Sequence, residues 1–152
     1  MYYDPSKGHG LPHNPFNAIV SPRPIGWVST RSKDGIDNLA PYSFFNAVAY
    51  TPPQVMFSAT SAKADQDGTK DTVANIRETG AFCVNIVSEK QLSEMNKSSQ
   101  ALSKEIDEFE FSDIEKQECN AINCSLVAGG PAALECKICL LYTSDAADDL
   151  TR

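Results

Sequence analysis

Apolar and polar residues alternate in short runs along most of this chain, the period-two signature of strands, and helical spacing occurs only in brief interludes. Ile25-Gly-Trp-Val-Ser-Thr-Arg31 reads as a strand, Asp34-Gly35 supplies a tight turn, and Ile36 to Tyr42 returns as the hairpin partner. Thr51-Pro52-Pro53 breaks the chain, Gln54 to Thr60 forms the next strand, and a polar loop follows over residues 61–69. Ala81 to Val87 alternates again. Two further strands fall around residues 123–128 and 132–142, parted by Gly129-Gly130-Pro131.

The helical interludes carry their own punctuation. Asn14 caps and Pro15 opens a short helix that presents Phe16, Ile19 and Val20 and ends by Pro22. Asp71 or Thr72 caps a second, continued by Val73, Ile76 and Arg77, with Gly80 where a C-terminal glycine belongs. Ser88-x-x-Gln91 is a capping-box pattern ahead of Leu92 and Met95. The acidic stretch from Glu105 to Glu118 reads as a surface excursion. Turn-connected strands with few short helices predict a mainly β, α+β domain or barrel rather than a doubly wound parallel sheet.

The 152 residues, 41% of them hydrophobic, suffice for one domain with its own core. No apolar run approaches the length of a membrane span, and the first residues lack the basic and apolar regions of an export signal, so a cytoplasmic protein is expected. A net charge of −7 argues against nucleic acid as a partner. That charge is unevenly placed: residues 1–80 hold seven basic and seven acidic side chains, so the whole excess lies in residues 81–152. An anionic small ligand is directed to the first half.

Five cysteines without an export signal read as reduced thiols. The alternative, four zinc ligands from Cys119, Cys124, Cys136 and Cys139, meets a segment without a turn glycine. In a strand, residues three apart face opposite sides. Structural cysteines and no metal are therefore expected. His9 and His13 read as part of a solvated arm, Cys83 as a buried thiol, and Asp107, Glu108 and Glu110 as a solvated acidic loop. Dinucleotide, P-loop, zinc-protease and nucleophile-elbow motifs are all missing. What remains is a set of small polar and cationic residues at strand ends: Arg23, Ser29, Thr30, Ser43, Asn46, Lys70 and Thr72. Hydroxyl donors, one or two cations and a helix start form the chemistry that holds a phosphate. The same residues also serve as ordinary strand, turn and cap positions.

Four segments in order, Ser21-Pro-Arg-Pro-Ile-Gly-Trp-Val-Ser-Thr30, Asn38-Leu-Ala-Pro-Tyr-Ser-Phe-Phe-Asn46, Thr51-Pro-Pro53 and Lys70-Asp-Thr-Val-Ala-Asn-Ile-Arg-Glu-Thr-Gly80, resemble the flavin reductase-like, FMN-binding split-barrel proteins that include flavoredoxin. The likeness continues through Phe82-Cys-Val-Asn85 and Asp107-Glu-Phe109 to Pro131-Ala-Ala-Leu-Glu-Cys136. It implies a split β-barrel, a homodimer and noncovalent FMN. It further implies electrons drawn from NADH or NADPH and passed to a flavin, a ferric chelate or a protein acceptor. By this resemblance Arg23, Ser29 and Thr30 lie beside the flavin, and Ser43, Phe44, Phe45 and Asn46 run along its ring and phosphate. Lys70 and Thr72 hold the phosphate, Asp71 positions the helix start, and Ser58 lies on a strand passing nearby. No residue is singled out as catalytic, and a flavin-binding module or electron carrier without its own enzymatic activity is the alternative. On this reading residues 1–13 are an irregular arm and residues 14–142 a split-barrel domain lacking its last strands. Residues 143–152 form a tail foreign to the fold.

Overall fold

A four-stranded antiparallel sheet forms the centre of the computed structural model, which describes residues 2–60 and 69–142. Its strands are β1 (Gly26–Arg31), β2 (Asp37–Tyr42), β5 (Ala81–Ile86) and β8 (Ala133–Lys137), in the spatial order β2-β1-β5-β8. Two hairpins flank it: β3 (Phe45–Tyr50) with β4 (Pro53–Phe57), and β6 (Lys116–Glu118) with β7 (Ser125–Val127). The helices are α1 (Pro15–Ile19), α2 (Asp71–Thr79), α3 (Leu92–Lys97) and α4 (Glu108–Phe111). The architecture is therefore mainly β with a few short helices. Among the described residues no helix is long and apolar enough to cross a membrane.

Both faces of the sheet are covered, which explains why Gly26 through Thr30 are all buried. Successive side chains point to opposite faces, so Trp27 packs with Leu39, Met95, Phe109 and Val127, while Val28 packs with Tyr42, Ile76, Phe82 and Val84. The first cluster lies under α3 and α4, and the second under α2 and the β3–β4 hairpin. Trp27 Nε1 donates to Ser98 Oγ at 2.9 Å, tying the end of α3 to the sheet.

The β1–β2 hairpin, α2 and its terminal Gly80 at φ 72° follow the sequence expectation, as does the Ser88–Gln91 capping box. Other elements depart from it. The strand β3 was not expected, because its residues are mostly exposed and carry little alternation; Thr51-Pro52 is its turn into β4, with Pro53 as the first strand residue. Lys70, not Asp71 or Thr72, occupies the cap position of α2, since the Thr72 side chain is drawn into the core. The acidic stretch is no surface excursion throughout: it contains α4, with Phe109 fully buried and Glu108 only 4% exposed, and the short β6. Strand β8 ends at Lys137, short of Tyr142. The predicted loop over residues 61–69, except Thr69, and the predicted tail 143–152 lie outside the described residues.

Candidate functional site

The site is set where the edge strand β2 meets the start of α2. An edge strand leaves outward N–H groups without a ladder partner. Here the N–H of Leu39 donates to Glu108 Oε2 at 3.1 Å, and the Asn38 side-chain amide donates to the same oxygen at 2.9 Å. Asn38 Oδ1 in turn accepts from Thr72 Oγ1 at 2.6 Å and from Thr30 Oγ1 at 3.4 Å, and Asn75 Nδ2 donates to Thr30 Oγ1 at 3.0 Å. All five side chains are buried. The network fixes the first turn of α2 against β1 and β2.

At that turn Lys70 is the cap residue in extended conformation, and it offers no side-chain oxygen to the first-turn amides. The positive end of the helix dipole favours an anion there. Lys70, Asp71 and Thr72 line a cleft of about 250 Å³ together with Tyr42, Ser99 and Gln100. The Tyr42 hydroxyl lies beside Thr72 but has no hydrogen-bond partner among the described residues. A second, polar cleft of about 460 Å³ adjoins the first through Asn38, Asp71 and Glu108.

Burial pushes the Glu108 carboxyl up to about 7, against the opposing hydrogen bonds from Leu39 and Asn38 and with the help of nearby Asp71. Burial likewise pushes Tyr42 up to about 12; the Thr72 hydroxyl opposes this and the Asp71 and Glu108 carboxylates add to it. At neutral pH the Tyr42 phenol is a neutral hydroxyl with a proton to donate.

The sequence-derived residues fall into separate groups. Thr30, Lys70, Asp71 and Thr72 come together at the start of α2. Ser29 points to the other face of β1, where it donates to the Ser125 carbonyl at 2.6 Å and accepts from Asn85 Nδ2 at 3.2 Å. Arg23, Ser43 and Phe44 form a second group. Arg23 Nε donates to Ser43 Oγ at 3.4 Å, its guanidinium lies 5.0 Å from the Phe44 ring centre, and its Nη1 donates to the carbonyls of Asn17 and Val20. Phe16 stacks on Phe44 at 6.3 Å, so Arg23 clamps α1 onto the segment leaving β2. The Phe45 ring lies over Gly26, where a Cβ would come within 2.8 Å of it. Asn46 is exposed on β3, and its side chain accepts from the Ala47 amide. Ser58 follows β4, donates its N–H to the Phe44 carbonyl at 2.9 Å, and borders an apolar cleft of about 510 Å³ with Val73, Ile76 and Phe82.

Asn75 and Glu108 were not singled out by the sequence reading as parts of a site. Phe109 and Phe111 within the acidic stretch, after Asp107 as a helix cap, were the available signal for α4. Cys83 and Cys124 are buried, Cys119 and Cys136 half-buried and Cys139 exposed. Among the described residues no group of three or more histidine, cysteine or acidic side chains is gathered for a metal ion.

Residues 20–149 match the family model described as flavin reductase like domain. An uncharacterized protein of Aquifex aeolicus is 40% identical over 120 residues, covering 79% of this chain and 60% of its own. Among solved structures, component B of a nitrilotriacetate monooxygenase from Bacillus cereus is 27% identical with a TM-score of 0.79, over 95% of this chain and 73% of that one. An FMN-binding domain of a flavin reductases-like enzyme from Shewanella baltica is 26% identical with a TM-score of 0.64, over 83% of this chain and 61% of that one. The chain spans between 54% and 60% of the length of the curated relatives it matches.

Proposed function

This chain belongs to the flavin reductase-like family of split-barrel proteins, and from that premise we propose that it binds FMN noncovalently and serves as a flavin reductase-type oxidoreductase. In this role electrons pass from NADH or NADPH through the FMN to a flavin, a ferric chelate or a protein acceptor, in the cytoplasm. The observation that carries the reading is the start of α2: a cation, a helix N-terminus without a side-chain cap and an orphaned buried hydroxyl converge on one cleft. A phosphate monoester fits that donor set, which is rich in N–H and O–H groups.

Lys70 and the first-turn amides of α2 hold the phosphate, and Asp71 sits in that turn. Thr72 and Thr30 act from behind: through Asn38 they keep the turn in place. Ser43 to Asn46 continue directly from β2 and, with Ser58, carry the rest of the ligand, while the Arg23 clamp fixes Phe44. Ser29, on the opposite face of β1, secures that strand to the β6–β7 hairpin. Bound FMN supplies hydride and electron transfer that no side chain in the site can supply. The exposed apolar side chains Val48, Tyr50, Met56 and Leu140 supply a surface for a second copy of the chain, in keeping with a homodimer.

Anaerobic addition of NADH or NADPH to the FMN-loaded protein tests the reductase role. Bleaching of the flavin bands is expected. Persistent colour with both nucleotides would reassign the protein as a carrier reduced by a partner.

A further inference from the structure

We propose that the Tyr42 hydroxyl is a ligand-binding group of the cleft, donating a hydrogen bond to a phosphate-ester oxygen and so favouring FMN over riboflavin; this rests on the FMN reading above. Tyr42 is 6% exposed. Its ring belongs to the core cluster of Val28, Ile76, Phe82 and Val84, and lies 4.9 Å from the Phe57 ring in a tilted contact. Packing of that quality fixes where the hydroxyl points. It lies beside the Thr72 hydroxyl, which gives its own proton to Asn38 at 2.6 Å and so donates nothing to the phenol. Tyr42 Oη makes no well-formed hydrogen bond among the described residues.

Buried polar atoms in folded proteins are nearly always satisfied, and an exception calls for a physical reason. Among the described residues three buried side-chain atoms lack partners, on Tyr42, Glu94 and Ser112, and of these residues only Tyr42 borders the cleft at the start of α2. The surroundings select the missing partner. Lys70 and the helix start favour a negative group, offsetting the Asp71 and Glu108 side chains that also line the cleft. A neutral phenol donates to an anion without adding charge, so the hydroxyl complements Lys70 instead of duplicating it.

Substitution Tyr42→Phe isolates the hydroxyl, because the ring and its contacts remain. Three quantities are read: thermal unfolding of the ligand-free protein, FMN affinity and riboflavin affinity by flavin fluorescence. Ligand-free Tyr42→Phe should melt at the same temperature as the unaltered chain or higher, since an unsatisfied hydroxyl has been removed. FMN should bind about tenfold more weakly and riboflavin equally well. A lower melting temperature with equal loss for both ligands would make Tyr42 purely a packing residue and overturn the proposal. Unchanged FMN affinity would also overturn it while leaving the FMN reading intact. If the unaltered chain binds no FMN, the reading itself falls and the Tyr42 proposal with it.

Discussion

Glu108 accepts a hydrogen bond from the Asn38 side chain at 2.9 Å across 70 residues of sequence. Through Asn38 the buried carboxylate is linked to Thr72 and Thr30, so α4, β2, β1 and α2 meet at one amide. Asn38→Ala leaves Glu108 and Thr72 short of a partner in the interior. The expected loss of stability is about 3 kcal/mol in denaturant unfolding, because buried polar groups lose partners and gain no water. A loss within the range of an ordinary surface substitution would show that the network reorganises around the gap.

Glu108 also gives the protein a pH dependence with a definite sign. Its folded carboxyl titrates near 7 against 4.5 for an ordinary glutamate, so the folded state holds a proton that the unfolded state releases first. Its contribution is fully present below about pH 4.5 and is lost as pH rises through 7. Between pH 5 and pH 8 the unaltered chain should lose on the order of 2 kcal/mol of unfolding free energy from this group. Glu108→Gln, which keeps an acceptor oxygen, should remove most of that slope. Equal slopes in urea titrations of the two proteins would contradict the assignment.

A separate ionic network closes the same end of β1 and β2 on the other face of the strands, where Arg31 and Asp37 form the register pair next to Thr30 and Asn38. Arg31 pairs with Asp37 at 2.8 Å and with Glu118 at 2.8 Å, and Lys116 bridges Asp37 and Asp107. Burial alone would raise Asp37, but Arg31, Ser125 and Lys116 outweigh it and hold the carboxyl below the usual range. Asp37→Ala removes the buried acceptor of Ser125 and one carboxylate each from Arg31 and Lys116, which keep Glu118 and Asp107, and should cost about 2 kcal/mol. Glu118→Ala, at an exposed carboxylate, should cost under about 1 kcal/mol. Comparable losses for the two variants in chemical unfolding would show that the burial of Asp37 does not set the hierarchy.

Gly26→Ala probes the close approach of Phe45. The added methyl would meet the ring at 2.8 Å, near its attachment point, where the side chain has little freedom to yield. A destabilisation of about 1–3 kcal/mol is expected. Combining it with Phe45→Leu should cost less than the sum of the two single changes. Strict additivity would mean that the ring moves aside freely.

Where structure followed local rules, it was legible in the sequence. Asp34-Gly35 gave away the first hairpin, Gly80 the end of α2, and Ser88 with Gln91 their capping box, because each signal acts within a few residues. Strand β3 was hidden because its order comes from pairing with β4, not from an apolar pattern of its own. Glu108 looked like one more charge in an acidic run, since its partners Asn38 and Leu39 lie 70 and 69 residues away. The candidate site was legible at Lys70 and Thr72 through their place at a helix start. Ser29 and Thr30 looked equivalent as small hydroxyl residues, although strand alternation places them on opposite faces of β1 and only Thr30 beside α2.

The central claim, that the start of α2 holds the phosphate of FMN, is tested most directly by measuring FMN and riboflavin affinity for the unaltered chain and Lys70→Ala. The two ligands differ only in the phosphate. A charge-assisted contact predicts an FMN affinity about tenfold to a hundredfold lower in Lys70→Ala, with riboflavin unchanged. Equal affinity of Lys70→Ala and the unaltered chain for FMN, or equal loss for both ligands, would contradict it.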